Sequence, residues 1–263
     1  MSLIMKIAGA DFSASGLPKL KQTVVGFPAE GLAGLYLFED GAADTAHSGS
    51  YLDSSGSKND AVLFSDFAAP VSRSYGLEIT DLSGLIIDTG IILGSDFTVV
   101  ACFKNTIDSD LEDGFPVWFG DTNNGIPLTR TSATTSAARL LPNVRLAGTL
   151  NDNGLFSESG GLLGGLTRLH VSAASYGSAD LPAIMTFSVG SDQAGFHTLS
   201  GYSKKVNNSA ISAAYSSGGG TITLGLWNYG GSGATNVTGQ LYGYAIYDRV
   251  LSDSERSEAM AAM

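Results

Sequence analysis

The chain has 263 residues, 43% of them hydrophobic and 15% charged, which is enough apolar material for one large domain with a full core. Its 14 basic and 25 acidic residues leave a formal net charge of −11, which argues against nucleic acid as a partner and against docking on an anionic membrane. The 34 glycines and 7 prolines lie between short apolar runs, as in an all-β protein with many turns.

Residues 1–30 read as a lead-in, either an N-terminal arm or an added strand lying along the domain. Ser13, Ser15, Gly16, Pro18 and Pro28 interrupt it, and 23–27 is its strand candidate. The start, MSLIMKIAG, has no long apolar core behind a basic end, so no secretory signal is expected. No run approaches the length of a transmembrane helix.

From Gly31 the pattern changes, and residues 31–263 form the expected domain. Strands are expected over 32–38, 61–64, 75–80, 85–88, 97–104 and 115–119, then over 139–146, 166–175, 184–189, 196–202, 221–227 and 239–247. Most are separated by Gly, Asp, Asn or Ser, the spacing of a two-sheet sandwich rather than of βαβ units. The small-residue stretch 131–138 reads as a loop. Cys102, in the run Thr98-Val99-Val100-Ala101-Cys102-Phe103, reads as a buried structural thiol. Near the end, Ser252 and Glu255 have capping-box spacing, so a short helix is expected directly after Ser252.

Three segments resemble the laminin-G-like subgroup of concanavalin A-like lectin/glucanase jelly rolls. Gly31 to Glu39 resembles the family's "G-L-x-x-x-Y-x-F" strand, and Asp53-Ser54-Ser55-Gly56-Ser57-Lys58-Asn59-Asp60-Ala61 its "D-S-S-G-x-x-N-D-G" loop. His170-Val171 and Phe187-Ser188-Val189-Gly190 are similar to its "W-H-x-V" strand and "Y-V-D-G" hairpin, without the Trp. Gly239, Leu241, Tyr244, Ile246, Tyr247, Arg249, Leu251, Ser252 and Glu255 match "G-x-I-D-E-V-x-I-Y-N-R-A-L-S-x-x-E". The resemblance implies an all-β concanavalin A-like jelly-roll sandwich with a short C-terminal helix. Where that pattern carries two acids, this chain has Tyr242-Gly243, which weakens any direct transfer of the family's metal chemistry.

No strand candidate carries the alternating carboxylates of the glucanases, so retaining hydrolysis lacks an acid and a nucleophile. For calcium, the oxygen-rich set is Glu39, Asp40, Asp53 and Asp60, and the acidic run 108–113 is a second stretch. Each has a plainer reading as a solvated or turn-forming loop. The histidines His47, His170 and His197 show no metal spacing, and nothing resembles a nucleophile elbow.

Sugar binding needs a flat aromatic beside amide or carboxylate partners. Trp227, Asn228 and Tyr229, leaving a strand into Gly230-Gly231-Ser232-Gly233, fit that need, with Asp121 and Asn123 as further polar contacts. Trp227 capping the core is the alternative. The expected function is a non-catalytic recognition module for a glycan or a protein surface, with other subunits of a larger assembly as partners. A bacteriophage or prophage tail, hence a virion-associated location, is one setting. The alternatives are a purely structural assembly protein and a glycoside hydrolase or lyase with an unrecognised site.

Overall fold

The computed structural model describes residues 26–64, 68–80, 84–105, 116–121, 127–132, 137–140, 145–146, 155–157, 167–171, 183–190, 193–198, 203–207, 211–213, 219–228 and 239–263. The strands of the first half are β1 (Leu32–Tyr36), β2 (Ser50–Tyr51), β3 (Ala61–Leu63), β4 (Val71–Arg73), β5 (Gly76–Ile79), β6 (Gly84–Asp88), β7 (Phe97–Asn105), β8 (Pro116–Asp121), β9 (Pro127–Ser132) and β10 (Ala137–Leu140). They are followed by β11 (Arg145–Leu146), β12 (Leu155–Ser157), β13 (Thr167–Val171), β14 (Ala183–Val189), β15 (Gln193–Thr198), β16 (Ser203–Asn207), β17 (Ile211–Ala213), β18 (Ile222–Asn228) and β19 (Gly239–Tyr247), and then by the helix α1 (Asp253–Ala262).

Two antiparallel sheets form an all-β sandwich, as expected. One runs β16-β15-β14-β7-β19-β5-β4, with β1 also paired to β19. The other runs β12-β13-β10-β9-β8-β18-β6-β3-β2, and β11 and β17 pair separately. The alternation of β7 and β19 sets the layers. Phe97, Val99, Ala101 and Phe103 take one face of β7, with Ala101 opposite Tyr244 and Val99 opposite Ile246. All of these side chains are buried, as are Leu85, Ile87, Ile222 and Leu224 of the second sheet. Tyr244 has its hydroxyl in a hydrogen bond with the Gly225 backbone, which ties β19 to β18 across the core. Burial of its ring pushes the Tyr244 phenol well above the ordinary tyrosine range.

Helix α1 covers the part of the outer face of the first sheet that lies over β7 and β14. Val100, Ala245 and Tyr247 pack with Leu35, Phe27, Leu251, Ala259 and Met260, and each large apolar side chain so buried contributes about 1.5–3 kcal/mol. The helix begins as its sequence dictates. Ser252 is the N-cap, its side chain accepts from the Glu255 N–H, and the Glu255 carboxylate accepts from the Ser252 N–H, completing the capping box. Arg249 then grips Glu255 with two guanidinium bonds, at 3.1 and 2.6 Å.

The structure moves several expected elements. Residue Phe38, expected in the first strand, has φ 56 and lies beyond the end of β1. That turn brings its ring edge-on to Tyr51 and Tyr244, at 5.9 and 6.2 Å. The stretch 131–138 holds the end of β9 and the start of β10, which pair with each other. The expected strand 139–146 divides between β10 and β11, in different sheets, and of 196–202 the residues 196–198 end β15 while the rest lie outside the described residues. Strands β2 and β4, two and three residues long, are too short to leave a periodic signal. Most of the lead-in, like the acidic run 108–113, lies outside the described residues; its end, Phe27, packs under α1.

Candidate functional site

The acidic residues of the 53–60 loop stitch that loop to the edge of β1 that β19 leaves free. Asp53 Oδ1 accepts from the Leu35 N–H at 2.9 Å and the Ser55 N–H at 2.8 Å, and its Oδ2 from the Asn59 N–H at 3.0 Å. The Asn59 side chain donates to Ala33 O at 2.8 Å, Ser54 N–H to Leu35 O at 2.7 Å, and the Tyr36 hydroxyl to Asn59 O at 2.5 Å. The loop thus supplies the bonds a neighbouring strand would have made, which blunts an edge. Asp60 accepts from the Asp53 N–H and Asp40 from the Leu52 N–H, each at 2.9 Å, while Glu39 is exposed. Three of the four acids named for calcium, Asp40, Asp53 and Asp60, are therefore each engaged with separate backbone N–H groups. Among the described residues no group of three or more His, Cys, Asp or Glu side chains is gathered to hold a metal ion.

A second cluster, invisible in the sequence, joins His47, Ser72 and Asp40. His47 Nδ1 lies 3.2 Å from Ser72 Oγ, and Nε2 lies 3.2 Å from Ser50 O and 3.9 Å from Asp40 Oδ2. The trio has the residue types of a nucleophilic triad but not its access. Ser72 is buried, and even a Cβ on Gly41 would stand 1.8 Å from its Oγ. The His–Asp distance is too long for an orienting hydrogen bond. The cluster, with Tyr51 stacked on the His47 ring at 4.5 Å, holds the 40–52 loop to β4.

Of the residues named for sugar binding, Trp227 and Asp121 lie apart. Trp227 pairs in register with Gly84 on one side and Val117 on the other, and Asn228 with Pro116, at one end of β18. Asp121 pairs with Ile222, at the other end. Five residue steps separate Ile222 from Trp227, roughly 17 Å at the usual rise, so Asp121 does not join Trp227 in one contact set. Tyr229 and Asn123, and the side chains of Trp227, Asn228 and Asp121, lie outside the described residues.

Tyr242 and Gly243, which stand where the resembled pattern has acids, form a β-bulge. Leu241 pairs with Phe103 and Gly243 with Cys102, leaving Tyr242 as the extra residue. Bulges of this kind re-aim a side chain. Here Tyr242 meets Tyr75, with ring centroids 5.1 Å apart and planes tilted by 31°. Tyr75 is held there by Gly76, which has φ 136 and lies so close to β19 that a Cβ would stand 2.2 Å from Leu241 O. Only glycine fits such a position.

Around this pair, Tyr242 donates to Gln240 Oε1 at 2.8 Å. Arg73 binds Glu78 and Asp44 in ion pairs and hydrogen-bonds Tyr75. Gln240 pairs with Glu78 of β5 and with Lys104 of β7 in register. Both rings are half-buried, as are Gln240, Glu78 and Arg73. Burial raises both phenols above their ordinary range, so they are neutral hydroxyls at physiological pH. Nearby Cys102 is buried, and desolvation pushes its thiol up to about 12, as an inert structural cysteine requires. No sequence motif announces this surface, because it joins a hairpin turn to a bulge far along the chain.

No family model matches the sequence, and the curated proteins give no match. Solved structures do. A botulinum neurotoxin serotype D ligand-binding domain in complex with N-acetylneuraminic acid aligns with 89% of this chain at 8% identity and TM-score 0.56. The binding domain of botulinum neurotoxin DC in complex with rat synaptotagmin II aligns with 89% at 8% identity and TM-score 0.54. Trypanosoma rangeli sialidase in complex with a difluoro-KDN aligns with 88% at 13% identity and TM-score 0.54. The likeness is one of fold. This chain spans 52% of each toxin domain and 32% of the sialidase. No helix among the described residues is long and apolar enough to cross a membrane.

Proposed function

We propose that this chain is a non-catalytic recognition module that binds a glycan, built on a laminin-G-like variant of the concanavalin A-like sandwich. The observation that carries the reading is the match of nearly nine-tenths of the chain to toxin binding domains, one of them in complex with N-acetylneuraminic acid. Fold alone does not fix function, and the residues add two supports. The His47–Ser72–Asp40 trio is closed to substrate, and the loop carboxylates are engaged with backbone N–H groups. The end of β18, where Trp227 and Asn228 lead into Tyr229 and a glycine-rich run, supplies residue types suited to a pyranose.

A glycan array with the wild type and Trp227→Ala tests this. Binding by the wild type supports the module, and its loss in the variant places the ligand at the end of β18. Turnover of polysaccharide or sialoside substrates would contradict the non-catalytic part.

A protein surface is the second reading. Leu52, Val62 and Phe64, in or next to β2 and β3, are 52%, 53% and 36% exposed, and one of the toxin domains is in complex with a protein. In an assembly such as a phage tail, that edge would meet a neighbouring subunit.

A further inference from the structure

We infer that the Tyr75–Tyr242 platform on the outer face of the first sheet is a binding subsite for an uncharged sugar. The inference rests on the recognition reading above in its ligand class, but it assigns a different surface. Three observations lead to it. The bulge at Tyr242 lifts one ring out of the strand's alternation, and Gly76 permits the hairpin contact that brings the second ring against it. The two rings are stacked with a 31° tilt and are only half-buried, so together they present flat apolar surface to solvent. Pyranose C–H faces pack on such surface.

The third observation is the polar rim. The Gln240 amide, held by the Tyr242 hydroxyl, and the Glu78 carboxylate stand beside the rings on adjacent strands. An amide and a carboxylate are the partners that sugar hydroxyls need. The charge pattern selects the class of sugar. Arg73 is already held by both Glu78 and Asp44, so its guanidinium fork is not left free for a sugar carboxylate, and the Glu78 carboxylate at the rim would repel one. The chain's net charge of −11 adds a repulsive field for any anionic glycan. The site therefore takes a neutral hexose or a neutral oligosaccharide end.

Saturation-transfer NMR with lactose, maltotriose and free N-acetylneuraminic acid tests this, on the wild type and on Tyr242→Ala, Tyr75→Leu, Gln240→Ala and Trp227→Ala. Tyr75→Leu keeps an apolar cover but removes the flat ring, and Gln240→Ala tests the rim without touching the core, so the test survives a Tyr242 variant that does not fold. The expected result is transfer to lactose or maltotriose that weakens at least about tenfold in apparent affinity in the Tyr75 and Gln240 variants and persists in Trp227→Ala. Loss in Trp227→Ala alone would overturn this subsite and leave the module reading standing. A Tyr75-dependent preference for N-acetylneuraminic acid would overturn the neutral class. No transfer from any probe to the wild type would overturn both the subsite and the sugar reading on which it rests.

Discussion

The Asp53 carboxylate accepts the Leu35 amide at 2.9 Å, across 18 positions of sequence. That bond, with those to Ser55 and Asn59, lets one side chain hold a loop against a strand edge. Asp53→Ala leaves one buried and two partly buried N–H donors without their acceptor and should cost about 3 kcal/mol, a fall in melting temperature of roughly 6–12 °C for a chain of this size. Asp53→Asn, which keeps one carbonyl acceptor, should cost less. Thermal melts followed by circular dichroism check both.

Much of this architecture was legible in the residues. Long strands such as β7 and β19 carry their own apolar pattern, and Ser252 with Glu255 announced the helix start by chemistry that is purely local. The site was not legible to the same degree. Trp227 and Asp121 group by residue type, as an aromatic and a polar partner for a sugar, but antiparallel register puts them at opposite ends of β18. Tyr75 meets Tyr242 only because a bulge and a glycine contact bring separate strands together, and neither leaves a mark that periodicity can read. The short strands β2 and β4 follow the same logic, since their partners define them.

Gly76→Ala tests how tightly that geometry is fixed. A methyl group at φ 136 would collide with Leu241 O, so the variant should lose about 2–4 kcal/mol. Its hairpin should also part from β19, which a change in near-ultraviolet tyrosine dichroism would report. A Gly76→Ala protein as stable as the wild type, with unchanged dichroism, would show that the contact is not required.

Glu255 links stability to acid. Hydrogen bonds from Arg249 first, then from Ser252, lower its carboxyl from the ordinary 4.5 to about 2. A depressed folded-state value stabilises the protein above the unfolded-state value, and that contribution fades as pH falls from about 4.5 through about 2. Glu255→Gln lacks it at every pH. The stability gap between wild type and variant, from urea unfolding, should be constant above pH 5 and narrow steadily below about 4.5. A gap independent of pH would refute the Arg249–Glu255 grip.

The loop carboxylates make a prediction about calcium. Asp53, Asp60 and Asp40 accept from N–H groups of separate residues, and a cation there would have to displace those donors. Calorimetric titration with calcium should give no binding heat, and calcium should leave the melting temperature unchanged. Saturable heat abolished by Asp53→Asn would show instead that the loop rearranges around the ion.

Recognition of a sugar without chemistry is decided by probing a glycan array with the folded wild-type chain. Reproducible binding to at least one oligosaccharide is expected, with every bound glycan recovered intact. An array on which the folded protein binds nothing, or on which it cleaves what it binds, would contradict it.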